Sequence, residues 1–197
     1  SYLIDKYNLK LNLNPNSFAA LQAAIDSSQS GVLNLTHDYS RDKSIDKDMS
    51  INILKNLVIN GNGHTVDSKS LGNVFKIKNS KVNLEINNLN IVNCNSNYGA
   101  AIDAYADRVI INNCKFINCS AKFDGGAIKM EGNGITITNS TFINNFADRF
   151  GGSVSINCSN KDNVIRDCIF INSNSRQDGC FIYVWRYTNL NLANSIL

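Results

Sequence analysis

The chain has 197 residues, of which 43% are hydrophobic and 18% charged, with a formal net charge of +3. That size suits one domain with a continuous core. The mild charge is scattered, with no basic run and no RNA-binding aromatic motif, so nothing points to a nucleic-acid partner. No stretch reaches the ~20 apolar residues needed to span a bilayer.

No signal segment opens the chain, so Ser1 is expected to be a processing or expression boundary rather than a native start. Leu9, Leu11 and Leu13 alternate with polar neighbours and suggest a first strand within residues 2–13. Asn16 or Ser17 can then N-cap a helix whose apolar residues Phe18, Leu21, Ala24 and Ile25 recur at helical spacing, with Gly31 beyond its end. Residues 1–30 therefore read as a strand and a capping helix, and residues 31–197 as the main body.

That body repeats about every 26 residues. One apolar column runs Ile59, Ile86, Ile111, Ile137, Ile165, Leu192. A second runs Phe75, Ile102, Ile128, Val154, Ile182, and a third Val66, Ile91, Phe116, Phe142, Phe170, Leu197. Columns that stay in phase through uneven spacing predict a solenoid, with three short strands per coil and about seven coils rising ~4.8 Å each. Within a repeat, Ala127-Ile128-Lys129-Met130-Glu131 alternates apolar and polar, as a half-buried strand does. Val109-Ile110-Ile111 and Ile135-Thr136-Ile137 are β-branched runs. The predicted class is all-β: a right-handed parallel β-helix. Leu197 falls on the third column, so the last coil is expected to be open, the natural chain to continue, and end-to-end contact of an otherwise monomeric protein to occur there.

Two polar columns accompany the apolar ones. Asn88, Asn113, Asn139, Asp167 and Asn194 form the first; Asn93, Asn118, Asn144 and Asn172 form the second. Stacked side-chain amides can donate to the next rung, so both are expected to be inward structural ladders. Asparagine is common here, at 33 of 197 residues, but abundance alone would scatter it rather than hold register. Four sequons begin at Asn34, Asn118, Asn139 and Asn157, and glycosylation at the two ladder positions would contradict that inward placement.

Phe116-Ile117-Asn118-Cys119 followed by Gly125-Gly126-Ala127-Ile128 resembles the paired FxxN and GGAI repeats of polymorphic outer-membrane proteins. Phe142-Ile143-Asn144-Asn145 with Gly151-Gly152-Ser153-Val154 repeats it imperfectly, and Asp178-Gly179-Cys180-Phe181 departs from it. The opening, from Phe18 to Ile25, then Val32 to Leu35 and Lys55 to Asp67, is similar to adhesin-like surface proteins of methanogenic archaea. The resemblance covers residues 17–197 and implies a β-helix displayed outside the cell, at its surface. It suggests a glycan or a surface protein of another cell as partner.

Other residue patterns admit competing readings. The six cysteines follow the coil period without a CxxC pair; Cys94 and Cys119 lie within disulfide reach, whereas buried free thiols are the simpler expectation. His37 and His64 lie far from them in sequence, and neither a metal nor a cofactor is expected. The Gly61-Asn62-Gly63-His64 run is only superficially like a glycosidase motif. A polysaccharide-active enzyme, such as a lyase, hydrolase or epimerase, would need projecting carboxylates. Asp103 and Glu131 are the candidates, one rung and two residues apart. Lys129 beside them makes a surface ion pair the plainer account, and Asp124, Asp148 and Asp178 read as solvated loop acids. For ligand binding, Phe181, Tyr183, Trp185 and Tyr187 form a predicted outward aromatic strip, with Arg186 and Tyr105 nearby. The same strip could instead pack against a cap or neighbouring domain.

Overall fold

The computed structural model describes residues 14–159 and 162–197; the strand expected within residues 2–13 lies outside them. The chain forms a parallel β-solenoid of about six turns, about 26 residues each, with one short helix near its start. The count is one below the seven coils expected from sequence.

All three apolar columns hold residue by residue, and each begins one turn earlier than the sequence suggested. Leu33 pairs with Ile59 and then Ile86, Ile111, Ile137, Ile165 and Leu192. Ile51 starts the second column beneath Phe75, and Tyr39 the third beneath Val66. Identical in-register stacking lets side chains at the core nest without voids. Phe116, Phe142 and Phe170 stack at 4.8 and 4.6 Å between ring centroids, nearly coplanar at 11° and 5°. In the middle turns the first two beats merge, so Phe75–Asn87, Ile102–Asn112 and Ile128–Thr138 are single strands rather than pairs.

The corners explain the polar columns. Asn88, Asn113, Asn139, Asp167 and Asn194 all have φ between 47° and 56°, as do Asn93, Asn118, Asn144 and Asn172. Asn tolerates this left-handed conformation better than other side-chain-bearing residues, because its short amide can bond locally. The side chains face outward, a correction to the inward ladders expected from sequence: Asn113, Asn118, Asn139 and Asn144 are exposed. The second column still forms a continuous chain of amides, from Asp67 through Asn93, Asn118 and Asn144 to Asn172, at 3.1–3.3 Å. The first column breaks, because Asn139 donates to Asn112 rather than Asn113, and Asp167 pairs with Arg166. Exposure also removes the conflict between these corners and the sequons at Asn118 and Asn139.

Behind two of the corners a polar residue satisfies the backbone of the neighbouring turn. Ser140 Oγ accepts from Cys114 N at 3.1 Å, and Asn145 Oδ1 accepts from Cys119 N at 3.0 Å. Cys94 and Cys119 are register partners, and all six thiols are free. Burial pushes the Cys114 thiol up to about 11 and the Cys158 thiol up to about 12.

A second kind of corner precedes the second column. Gly125 adopts φ 65°, and a Cβ on Gly126 would lie 2.0 Å from the Gly152 carbonyl oxygen, so the turn admits no side chain there. Just after it, two successive N–H groups share one carbonyl: Ala127 and Ile128 both donate to Ser153 O. Ser153 and Val154 likewise both donate to Phe181 O. This repeated bulge resets the in–out alternation at the start of each strand.

Helix α1, Phe18–Ser27, closes the first turn and buries Phe18, Leu21 and Ile25. Ser17 caps it by accepting from Ala20 N at 3.1 Å. A second cap comes from 28 residues away. The buried Asp46 carboxylate accepts from Phe18 N at 2.9 Å and Ala19 N at 3.0 Å, matching negative charge to the helix N-terminus. Among the described residues, no helix is long and apolar enough to cross a membrane.

Candidate functional site

The strands of the second column carry two outward rows. Lys76, Asp103, Lys129, Ser155 and Tyr183 are successive partners in one row; Lys78, Tyr105, Glu131 and Asn157 are successive partners in the other. Alternation puts Ile77, Ala104, Met130 and Ile156 inside, so this face is polar because the opposite one must be apolar.

The two candidate catalytic acids sit on this face, each beside a lysine. Lys129 Nζ lies 3.0 Å from Glu131, and Lys76 Nζ lies 3.8 Å from Asp103. Burial raises the Asp103 pKa, opposed by the charges of Lys129 and Lys76. Among the described residues, no group of three or more His, Cys, Asp or Glu side chains is placed to hold a metal ion. The Gly61–His64 run is a corner: His64 N donates to Gly61 O, and the His64 ring meets Asp38 at 3.1 Å.

One edge of the face is aromatic, and only part of it was foreseen. Tyr183 stacks on Phe150 at 4.5 Å, and Trp185 meets both rings edge-on at 5.4 and 5.5 Å. Trp185 Nε1 donates to Ser155 Oγ at 3.1 Å, which fixes the indole and covers Ser155. Further along the edge, the Arg149 guanidinium lies 5.2 Å from the Phe123 ring and 5.6 Å from the Phe150 ring. Tyr98 packs at 4.9 Å from Phe123, beneath the Lys129 ammonium at 4.5 Å. Cations set over ring faces keep these aromatics ordered at a solvent edge.

Arg149 is anchored by two bonds to Asp124, of 2.9 and 2.5 Å. Asp124 is 1% exposed, so it is not the solvated loop acid expected from sequence, whereas Asp148 is a partly exposed partner of Arg176 at 3.1 Å and Asp178 is exposed. Tyr98, Phe123 and Phe150 escaped the sequence reading. Their signal is an aromatic one or two residues before the first glycine of three successive corners, Gly99, Gly125 and Gly151.

The predicted strip does not hold together as one line. Phe181 turns inward, packing against the core with its ring 6.3 Å from Phe170. The bulge is the reason, since Phe181 occupies the column of Ala101, Ala127 and Ser153, all buried. Tyr187 lies beyond the strand Ile182–Val184, at φ 66° and 96% exposed. With Arg186, Tyr105 and Glu131 it instead lines an open cavity of about 680 Å³ at the opposite edge of the face. Tyr183 and Trp185 thus belong to one edge, and Tyr105, Arg186 and Tyr187 to the other.

No protein-family profile, curated protein or solved structure matches the chain.

Proposed function

We propose that the chain is a non-catalytic, extracellular, adhesin-like domain whose lateral face holds a glycan or a surface molecule of another cell. The observation that carries this reading is the ordered aromatic edge: Phe150, Tyr183 and Trp185 packed at 4.5–5.5 Å and backed by Arg149. Rings fixed in advance lose little entropy on stacking against a sugar, and Trp, Tyr and Arg are the residue types that dominate binding energy at interfaces. The solenoid contributes stiffness, since each turn rests on its neighbours and outward side chains are free to serve recognition.

The enzyme reading receives less support. Asp103 and Glu131 share the face, yet each has a lysine as ion-pair partner, as in an ordinary surface ion pair. A glycan array probed with wild type, Phe150→Ala and Trp185→Ala tests the binding reading. Retention by wild type with up to about tenfold weaker retention by both variants is the expected result, from the ~0.5–1.5 kcal/mol carried by an aromatic contact. Equal retention by all three would remove the aromatic edge as the contact.

A further inference from the structure

A second cavity, of about 640 Å³, lies where the loop after the first turns meets this lateral face, and Arg41, Asn73, Lys76, Tyr98, Asp103 and Lys122 are among its walls. We propose that it receives an acidic sugar residue, one carrying a carboxylate or sulfate, with Arg41 and Lys122 taking the negative charge. The proposal deepens the glycan-binding reading and rests on it.

Arg41 is the first observation. It is 4% exposed, and its guanidinium lies 4.5 Å from the Phe18 ring and donates to three neutral oxygens: Ser68 Oγ at 3.4 Å, Asp46 O at 2.8 Å and Asn73 O at 2.6 Å. Those contacts occupy three of its five N–H groups. Among the described residues no carboxylate bonds it. The neighbouring Asp46 carboxylate is committed to the N–H groups of Phe18, Ala19 and Asp42. A buried cation without a bonded anion is costly, and an incoming anion offsets that cost where a neutral ligand cannot. Of the other charged groups in the walls, Lys76 faces Asp103 at 3.8 Å, which leaves Arg41 and the exposed Lys122 against Asp48.

Asn73 is the second. Its Nδ2 donates to Gly99 O at 2.7 Å, while its Oδ1 is the one buried side-chain acceptor among the described residues without a hydrogen-bond partner. A fully ionised sulfate has no proton to offer it; a hydroxyl group does. Ser50, Asn95, Ser96 and Asn97 add further hydroxyl and amide groups to the walls, and Tyr98 adds a ring. The volume lies within the ~300–1,000 Å³ of small-molecule sites, far more than a bare phosphate or sulfate fills. Cationic anchor, unpaired acceptor, polar walls and one aromatic together specify a hydroxylated acid rather than a simple ion.

The test is calorimetric titration of the whole chain with an oligogalacturonate, its methyl-esterified neutral counterpart, and a sulfated oligosaccharide of similar length. Lys122→Glu is the main variant, because Lys122 is exposed. Trp185→Ala is the control at the other end of the face. The expected result is binding of a carboxylated or sulfated oligosaccharide, no heat from the neutral one, and roughly tenfold weaker binding by Lys122→Glu. The arm that binds identifies the charged group. Inorganic sulfate should give no heat. Equal binding of the esterified sugar, or unchanged affinity in Lys122→Glu, would overturn the proposal, as would silence in both acidic arms. Failure of the aromatic edge appears separately, as array binding indifferent to Phe150→Ala and Trp185→Ala.

Discussion

The middle turns and the last turn carry the same pattern and reach opposite degrees of burial. Ile86, Ile111 and Ile137 are fully buried, whereas Leu192, in the same column, is 41% exposed. Phe116 and Phe142 are likewise buried, while Leu197 at the end of the third column is 55% exposed. The residues are equally apolar, so the difference lies in neighbours: a solenoid residue is buried by the turns above and below it, not by its own coil. Stability should therefore be graded along the axis, and function should use side chains that the stacking does not need.

Thiol chemistry exposes that gradient most sharply. Cys180 is exposed, the other five cysteines are buried, and burial raises the thiols of Cys94, Cys114, Cys158 and Cys168. Native protein at pH 7–8 should take up about one alkylating group per chain, rising to all six on unfolding. Mass spectrometry locating the label at Cys114 or Cys119 in native protein would contradict the graded packing.

Core truncation comes next. Phe142→Ala, in the middle of the phenylalanine stack, should cost about 3–5 kcal/mol in urea denaturation. Leu192→Ala should cost less than about 1 kcal/mol. Similar losses at both positions would erase the distinction between middle and end. Asp124→Asn is expected to fall between them, at about 2 kcal/mol: the acid is buried, but the partly exposed Arg149 recovers solvation when the pair breaks. Its glycan retention should fall as well, because Arg149 loses the anchor that holds it over Phe123 and Phe150.

The two asparagine columns offer a finer comparison. Asn118 bonds to amides on both sides, whereas Asn113 bonds only downward, to Asn88. Asn118→Ala should cost about 1–2 kcal/mol, combining lost hydrogen bonds with a left-handed alanine, and Asn118→Gly should recover the backbone part. Asn113→Ala should cost less. If Asn118→Gly is as damaging as Asn118→Ala, the amide chain outweighs the corner conformation.

Asp103 gives the smallest effect. Its folded pKa lies above its unfolded value, so between the two the folded chain binds more protons, and stability falls as pH rises through that window. Asp103→Asn should flatten that slope in the pH range immediately above the ordinary aspartate pKa, measured as the denaturation midpoint against pH. An unchanged slope would mean that the lysines, not burial, govern this carboxyl.

The repeat was almost wholly legible in the sequence, because in-register stacking writes the same residue type at the same phase: three apolar columns located the strands, and the Asn columns kept the same period. Which way a corner amide points was not legible, since an inward ladder and an outward left-handed turn require the same asparagine. The candidate site was harder to read. Tyr183 and Trp185 obey simple alternation, but Phe181 follows a bulge that resets the count. Phe123 and Phe150 recur before the corner glycines but lie outside the apolar columns. Arg41 and Asp46 act on elements 27–32 residues away, and their meaning appears only once the turns are stacked.

The most direct test is to incubate a glycan retained by the lateral face with the protein and measure the sugar's mass before and after release. The account predicts an intact glycan of unchanged mass whose retention falls in Trp185→Ala. A shortened or unsaturated product that disappears in Asp103→Asn or Glu131→Gln would contradict it.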